Sequence, residues 1–223
     1  MGSLYLKGYF LIRMNDFEKI IENNKDFKKF YKIKRKIFPI EKVVELFPEK
    51  GELIDLGCGN GIFPAILSLK HKDLNIIGVD DDEKKIDLAK KTFSELKNLS
   101  FVKENIFDFK LKEADIYSLI DVLYLIPFEL QIKLIEGIYG KLKTNGKLII
   151  KEMDTTPFYK YLFNIFQESI SVKIIHRTIG SKFYFTKSSE YIKLFEKIGF
   201  SVQYLRVDKG YLYPHVVYIL TKS

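Results

Sequence analysis

The sequence predicts an α/β fold: a doubly wound, mostly parallel sheet of seven strands whose last strand runs antiparallel. Three observations support this. A short apolar strand at 53–56 leads into a turn with glycines at alternating positions. Behind that turn, strand-like and helix-like segments alternate up to residue 151, which is typical of a parallel sheet with helices on both faces. The chain ends in two further strand-like segments joined by a turn at 208–210.

The composition is that of a globular domain of ordinary to generous size. The chain has 223 residues, of which 47% are hydrophobic and 30% charged. Its one cysteine, Cys58, excludes an internal disulfide, and no His/Cys cluster has metal-ligand spacing, so we expect no metal. We find neither a signal-peptide core nor an apolar run near the ~18 residues of a membrane span, so the expected location is cytoplasmic.

Positive charge is concentrated at the two ends of the sequence. The formal net charge is +8, with +5 on residues 1–50, −2 on 51–153 and +5 on 154–223. Basic flanks suit an anionic partner, such as a phosphorylated or carboxylated substrate, nucleic acid or an anionic membrane surface. A lysine-rich solvated surface is the commoner explanation, and the sequence carries no strong signal for nucleic acid.

The predicted domain organisation has a helical cover, 1–50, and an α/β domain, 51–223. Within the cover, aromatic residues and lysines alternate between Lys28 and Phe38 as in a basic amphipathic helix. Such a helix is typical of membrane-surface elements, which would make the protein peripheral at a membrane, but a lid packed over the site is the commoner explanation. An aromatic insertion at 155–187 follows the fifth strand, at the edge of the sheet where ligands enter open α/β folds.

The glycine turn at 57–61 is the chemical centre of the sequence. Strand, turn and helix start together predict a concave surface of free backbone N–H groups, with Asn60 as the helix N-cap. A dinucleotide fingerprint, Gly-x-Gly-x-x-Gly, would need a third glycine where Ile62 stands. Asp55, two residues before the turn, would repel a pyrophosphate but could hold an ammonium group. Both residues disfavour an NAD-dependent oxidoreductase.

At these residues the sequence resembles the class I S-adenosylmethionine-dependent methyltransferases. Their first motif is a strand ending in Asp or Glu, followed by Gly-x-Gly-x-Gly. The resemblance covers residues 50–152 well and the C-terminal part in outline, and it implies a Rossmann-like fold with S-adenosylmethionine as cofactor. It places Asp55, Gly57, Cys58 and Gly59 at the cofactor. We interpret Cys58 as a small space-filling residue rather than a nucleophile.

Further cofactor residues follow the second and third strands. Asp80 comes nineteen residues after Gly61, close to the ~20 of nucleotide-binding folds, and can accept both ribose hydroxyls. Asp81 is included beside it, although a charge that complements a helix dipole explains it as well. The resemblance implies adenine contacts for Asn105 and Ile106. Family members usually carry an acid at the Asn105 position, but an amide oxygen accepts the same hydrogen bond, and a plain polar turn is the alternative.

The segment 120–127 resembles the fourth-strand motif of the family. The resemblance implies that Asp121 helps to hold the methionine part and that Tyr124 borders the transferred methyl group. Leu125 stands where many relatives carry a histidine base. The Asp/Asn-Pro-Pro-aromatic motif of enzymes that methylate exocyclic amines or glutamine side chains is absent, which disfavours those reactions.

We therefore expect methyl transfer to a small or lipid-like acceptor, such as a phenolic, quinone or lipid precursor. A phenol, alcohol or acidic carbon needs a base, and the catalytic candidates are Tyr124, His176 in the insertion and His215 at the start of the last strand. For either histidine, a surface or structurally satisfied role is at least as common. A catalytically silent methyltransferase-like binding protein remains an alternative.

Overall fold

A computed structural model describes residues 15–22, 24–156 and 183–223. Its centre is one seven-stranded sheet in the order β3-β2-β1-β4-β5-β7-β6. Strands β1 to β5 run parallel, and β7 is antiparallel to both of its neighbours, which confirms the predicted fold class. The strands are β1 (Lys50–Leu56), β2 (Asp73–Asp80), β3 (Leu99–Lys103), β4 (Ala114–Ile120), β5 (Leu142–Met153), β6 (Phe200–Arg206) and β7 (His215–Lys222).

Helices cover both faces of the sheet, because successive strand residues point to opposite sides and both sets are apolar. Leu53 of β1 belongs to a core shared with the first four helices, and its neighbour Ile54 belongs to a core shared with the last two. The helices are α1 (Lys25–Ile37), α2 (Ile40–Val44), α3 (Ile62–Lys70), α4 (Glu83–Thr92), α5 (Phe128–Lys141) and α6 (Ser188–Ile198).

The predicted basic amphipathic helix is α1, and it packs onto the domain as a cover. Asn24 caps its start by accepting a hydrogen bond from the Phe27 N–H at 3.0 Å. Buried Tyr31 packs against Phe17 from the helical residues 15–20. At the other end, the His215 Nε2–H donates to the Ile37 carbonyl at 2.6 Å, which joins α1 to β7. The boundary at residue 50 between a helical cover and the rest of the chain stays a prediction.

Most of the predicted insertion lies outside the described residues. Of 155–187, the structure describes 155–156 and 183–187, so most of the insertion and the candidate base His176 lie outside the described residues. In the described parts of the chain, no helix is both long and apolar enough to cross a membrane.

Candidate active site

A cavity of about 1550 Å³ opens where β1, β2 and β4 end. Ligands of open α/β folds bind outside the carboxyl ends of the strands, so the position agrees with the fold. The cavity brings together all nine predicted cofactor residues and two of the three catalytic candidates. They are Asp55, Gly57, Cys58, Gly59, Asp80, Asp81, Asn105, Ile106 and Asp121, with Tyr124 and His215.

We divide the lining of this cavity into two walls and a mouth. We call the strand ends and glycine turn, with Asp55, Gly59 and Asp80, the cofactor wall. The α1 wall is the side chains that α1 and Phe38 contribute to the lining. The mouth is where Phe30, Ile33 and Phe107 both line the cavity and are exposed to solvent, by 48%, 51% and 46%.

The backbone N–H groups of the glycine turn are largely paired, so the expectation of free groups was wrong. The N–H groups of Gly57 and Cys58 both donate to the Val79 carbonyl, at 2.8 and 3.0 Å. The Gly59 N–H donates to Oδ2 of Asp80 at 2.8 Å. Neighbouring β2 takes up these donors, because its end lies directly beside the turn. A turn with its donors occupied is poorly suited to a phosphate group.

Two glycines of the turn are needed for different reasons. Gly57 has a φ of +78°, and a Cβ there would lie 2.6 Å from Cγ2 of Val122. Gly59 has a φ of +59°, but a Cβ there would meet no protein atom within 4 Å. The bare Gly59 backbone thus leaves a space that a ligand can fill. The N-cap of α3 is Gly61, at a φ of +77°, so the prediction of Asn60 as cap was wrong.

Asp80 is buried at the end of β2 and aims its carboxylate into the cavity. Besides the bond from Gly59, its Oδ1 accepts the Asp82 N–H at 3.1 Å. A carboxylate oxygen has two lone-pair sites, so each oxygen keeps one for a further donor such as a ribose hydroxyl. Asp81 is exposed beside it and lines the cavity.

Asp55 is buried at the end of β1, and its pKa is perturbed. Ser118, its register partner on β4, donates its hydroxyl to Oδ1 of Asp55 at 2.6 Å. Burial raises the pKa of the Asp55 carboxyl to about 7, and the Ser118 hydrogen bond and the charge of Lys34 oppose the rise. A cationic ligand group at this carboxylate would bring the pKa down again. Sequence reasoning missed Ser118, because the contact spans two strands.

Asn105 and Ile106 lie in the loop after β3 and line the cavity, as the prediction requires. The Asn105 side-chain oxygen accepts the Phe107 N–H at 2.9 Å, which fixes the loop. Its amide N–H₂ and a second lone pair of the oxygen remain as hydrogen-bonding positions. Ile106 is half-buried and supplies apolar surface.

Asp121 has a strained backbone and a buried cationic partner. Its φ of +58° lies in the left-handed region, which is uncommon for a residue other than glycine and is frequent at functional sites. Lys151 of β5, fully buried, forms an ion pair with Oδ1 of Asp121 and places its Nζ 4.7 Å from the centre of the Phe38 ring. The pair holds the Asp121 carboxylate at the edge of the cavity.

Lys34 of α1 lines the same cavity, with its Nζ 5.2 Å from the centre of the Phe38 ring. Burial lowers the pKa of the Lys34 ammonium, and the carboxylate of Asp121 opposes the shift. Lys34 therefore brings a basic side chain from the α1 wall into a cavity rich in acids. Sequence reasoning had placed it in a basic stripe and had given it no role in the site.

Buried polar residues behind the cavity hold the loop that carries Tyr124. Oε1 of Glu152 accepts the N–H groups of Val122 and Leu123, at 3.0 and 2.7 Å. Burial, followed by the charge of Asp121, raises the pKa of the Glu152 carboxyl to about 8. Gln131 Nε2 donates to the carbonyls of Leu123 and Ile126, both at 2.8 Å. These residues position the loop.

Tyr124 and His215 occupy different parts of the cavity lining. The Tyr124 ring stacks on Phe185, with 5.3 Å between the centres and 3° between the planes, and the Tyr124 carbonyl accepts the Tyr184 N–H at 2.8 Å. Residues 183–185 thus bring the end of the insertion onto Tyr124. His215 is buried, and its bond to the Ile37 carbonyl gives it a structural task.

Cys58 lies inside the turn and packs against Gly78. A Cβ added to Gly78 would lie only 2.9 Å from the Cys58 sulfur. Burial raises the pKa of the thiol, so it stays protonated at neutral pH, as a space-filling residue would. Within the ranges that the structure describes, no three His, Cys, Asp or Glu side chains are grouped to hold a metal ion.

Comparison with known proteins identifies the family. A family model described as "Methyltransferase domain" matches residues 49–196. A carboxy-S-adenosyl-L-methionine synthase of Helicobacter pylori (strain G27) is 28% identical over 117 residues, which are 52% of this chain and 48% of that protein. The chain thus spans about half the length of the curated relatives it matches.

Two solved structures share the fold. Magnesium protoporphyrin IX methyltransferase from Synechocystis PCC 6803, with bound SAH, has a TM-score of 0.67 at 16% identity, over 100% of both chains. An O-methyltransferase family protein from Burkholderia thailandensis has a TM-score of 0.66 at 20% identity, over 82% of this chain and 55% of that one. With the family match, the chain belongs to the class I S-adenosylmethionine-dependent methyltransferases.

Proposed function

We propose that the chain transfers a methyl group from S-adenosylmethionine to an apolar, lipid-like small molecule, such as a phenolic, quinone or lipid precursor. The observation that carries the proposal is that a single cavity combines the polar cofactor wall with the largely apolar α1 wall. Pockets for one small ligand typically enclose ~300–1,000 Å³. About 1550 Å³ gives room for cofactor and acceptor side by side.

The residues of the cofactor wall fit this cofactor. Asp80 would hold the ribose hydroxyls, Asp55 and Asp121 the methionine ammonium, and the open space at Gly59 would admit the ligand against bare backbone. Asn105 and Ile106 would contact the adenine. The cofactor supplies an electrophilic methyl group on a sulfonium, so the protein needs to align the acceptor and exclude water.

The acceptor would lie between the α1 wall and Tyr124. Phe38, Ile126 and Tyr184 line this part of the cavity with apolar surface. Tyr124 and His215 are the described candidates for the polar contact to the acceptor, and His176 stays a prediction. Peripheral contact with an anionic membrane and the cytoplasmic location stay predictions.

A second candidate is the formation of a carboxylated S-adenosylmethionine, the reaction that the name of the Helicobacter relative describes. The specific observation in its favour is Lys34, a basic residue that lines the cavity together with Asp55 and Asp121. A lysine there could neutralise an added carboxylate. The third candidate is a catalytically silent protein that binds the cofactor but transfers no methyl group.

Calorimetry and product analysis separate these candidates. All three candidates predict that S-adenosylhomocysteine binds and NAD does not, whereas an NAD-dependent oxidoreductase would bind NAD. Cell extract is then incubated with methyl-labelled donor and the full chain, and products are identified by mass spectrometry. A labelled apolar product supports methyl transfer, a donor heavier by one carboxyl group supports the second candidate, and cofactor binding without any product indicates a silent protein. Absence of S-adenosylhomocysteine binding would overturn the proposal.

A further inference from the structure

The outer side of α1 carries an apolar stripe that ends at the cavity. Phe30, Ile33 and Ile37 recur at i, i+3 and i+7, so they share one side of the helix. All three line the cavity, and Phe30 and Ile33 are about half exposed. Large apolar side chains at the entrance of a cavity usually mark a surface that meets another apolar body.

A stripe of lysines runs next to the apolar one. Its four members recur at i, i+4, i+7 and i+11 and are all exposed: Lys25, Lys29, Lys32 and Lys36. Among the residues that the structure describes, none of the four has a carboxylate within ion-pair distance. On the other flank of the helix, Arg35 differs, because Glu18 and Glu41 pair with it at 3.3 and 3.2 Å.

The acids near the mouth do not neutralise this stripe. On the α4 side of the cavity, Lys85 lies 3.4 Å from Asp82 and 3.9 Å from Asp80, and Lys84 also lines the cavity, as does Asp81. The surplus of positive charge therefore belongs to α1. A helix with an apolar stripe flanked by lysines is the composition that lies in the interface of an anionic bilayer.

We propose that this side of α1 docks on an anionic lipid bilayer and turns the cavity mouth towards the acyl chains. The inference rests on the proposed function for the acceptor, which would enter the cavity from the membrane. A bilayer fits better than an acidic protein, because a folded partner seated on Phe30 and Ile33 would cover the mouth. The lysines would meet lipid head groups while the apolar stripe enters the layer beneath them.

Vesicle co-sedimentation of the full chain tests the docking. We expect binding to vesicles of phosphatidylcholine with 30% phosphatidylglycerol to be at least roughly tenfold tighter than to pure phosphatidylcholine, and to weaken as salt is raised. The triple variant Lys29→Gln/Lys32→Gln/Lys36→Gln should bind the acidic vesicles roughly a hundredfold more weakly, at about fivefold per lysine. Phe30→Ser/Ile33→Ser should weaken vesicle binding with all lysines kept.

A matched control removes the same charge elsewhere. Lys90, Lys91 and Lys97 are exposed on and after α4 and do not line the cavity. If Lys90→Gln/Lys91→Gln/Lys97→Gln loses as much vesicle binding as the α1 variant, net charge alone is responsible and the proposal fails. It also fails if the wild type binds neutral and acidic vesicles equally or binds neither, including the case in which it binds a soluble polyanion such as polyglutamate instead.

The two proposals can fail separately. Lys29, Lys32 and Lys36 do not line the cavity, so the triple variant should bind S-adenosylhomocysteine with wild-type affinity. A chain that binds acidic vesicles through α1 but not S-adenosylhomocysteine would overturn the proposed function and keep the docking. Cofactor binding and methyl transfer without vesicle binding would overturn the docking and keep the proposed function.

Discussion

The cofactor wall and the α1 wall of the cavity are built by different means. On the cofactor wall, hydrogen bonds from adjoining strands and turns fix the acids: Ser118 holds Asp55, and the Gly59 N–H holds Asp80. The α1 wall rests on ring contacts, such as that of Phe38 with Phe63, and on the bond from His215 to the Ile37 carbonyl. A hydrogen-bonded wall is preorganised for one ligand.

Replacement of the two turn glycines should give the largest effects and should separate fold from binding. We expect Gly57→Ala to lower the melting temperature, because its Cβ would collide with Val122. Gly59→Ala should keep most of the stability, at a cost of about 1–2 kcal/mol for its φ, but lose S-adenosylhomocysteine binding by more than roughly a hundredfold.

The control for the turn is Gly210→Ala. Gly210 also has a positive φ, +90°, and also has nothing within 4 Å of its added Cβ, but it does not line the cavity. It should show a similar small loss of stability with unchanged binding in calorimetry. Wild-type affinity in a folded Gly59→Ala protein would mean that the ligand does not touch the turn.

Asp80→Ala should come next in size. Two hydrogen bonds from ribose hydroxyls to a carboxylate, at about 1.5–3 kcal/mol each, correspond to a loss of affinity of roughly a hundredfold or more. Asp115→Ala is the matched control, since Asp115 also accepts a backbone N–H, from Glu52 at 2.9 Å, but does not line the cavity. Calorimetry with S-adenosylhomocysteine measures both variants, and equal affinities for them would remove Asp80 from the site.

The pH dependence of cofactor affinity should report on Asp55. An ammonium ligand binds the ionised carboxylate, and the pKa of Asp55 in the free protein is raised to about 7 by burial. Affinity should therefore fall as pH falls through 7, and at pH 5.5 it should be roughly thirtyfold below the value at pH 8. The binding reaction should release about one proton at the lower pH, which calorimetry in buffers of different ionisation enthalpy detects.

Two variants sharpen the pH test. Removal of the hydroxyl in Ser118→Ala should move the midpoint upwards, because that hydrogen bond holds the pKa of Asp55 down. Asp55→Asn should bind more weakly at every pH and lose the pH dependence. A midpoint that stays in place in Asp55→Asn would assign the titration to another group.

The contrast between the walls also explains what the sequence could reveal. The glycine turn and Asp80 belong to one β-α-β unit, so their spacing along the chain already places them together. The paired N–H groups of the turn escaped prediction because their acceptor, the Val79 carbonyl, lies on the next strand. Gln131 escaped for the same reason, since it binds the Tyr124 loop from another element. The seating of α1 on the cavity depends on contacts with residues up to 178 positions away, which no local pattern encodes.

The smallest effect we predict concerns His215, which is either a base for the acceptor or the residue that holds the α1 wall. Its Nε2–H donates to the Ile37 carbonyl, and its ring contacts Phe38 and Tyr213. Loss of one hydrogen bond and these ring contacts should cost about 2 kcal/mol, so His215→Ala should melt roughly 4–8 °C lower. His215→Gln keeps a side-chain N–H at a similar distance and should recover part of the loss.

A buried histidine away from the cavity provides the comparison. His71, at the end of α3, is 7% exposed and does not line the cavity, so His71→Ala measures what removal of a buried imidazole costs by itself. If His215 holds α1, stability falls in His215→Ala, returns in part in His215→Gln, and turnover of the acceptor follows stability. If it is the base, both variants lose turnover, because an amide cannot take up a proton. Turnover restored in His215→Gln would leave Tyr124 as the described candidate for the base.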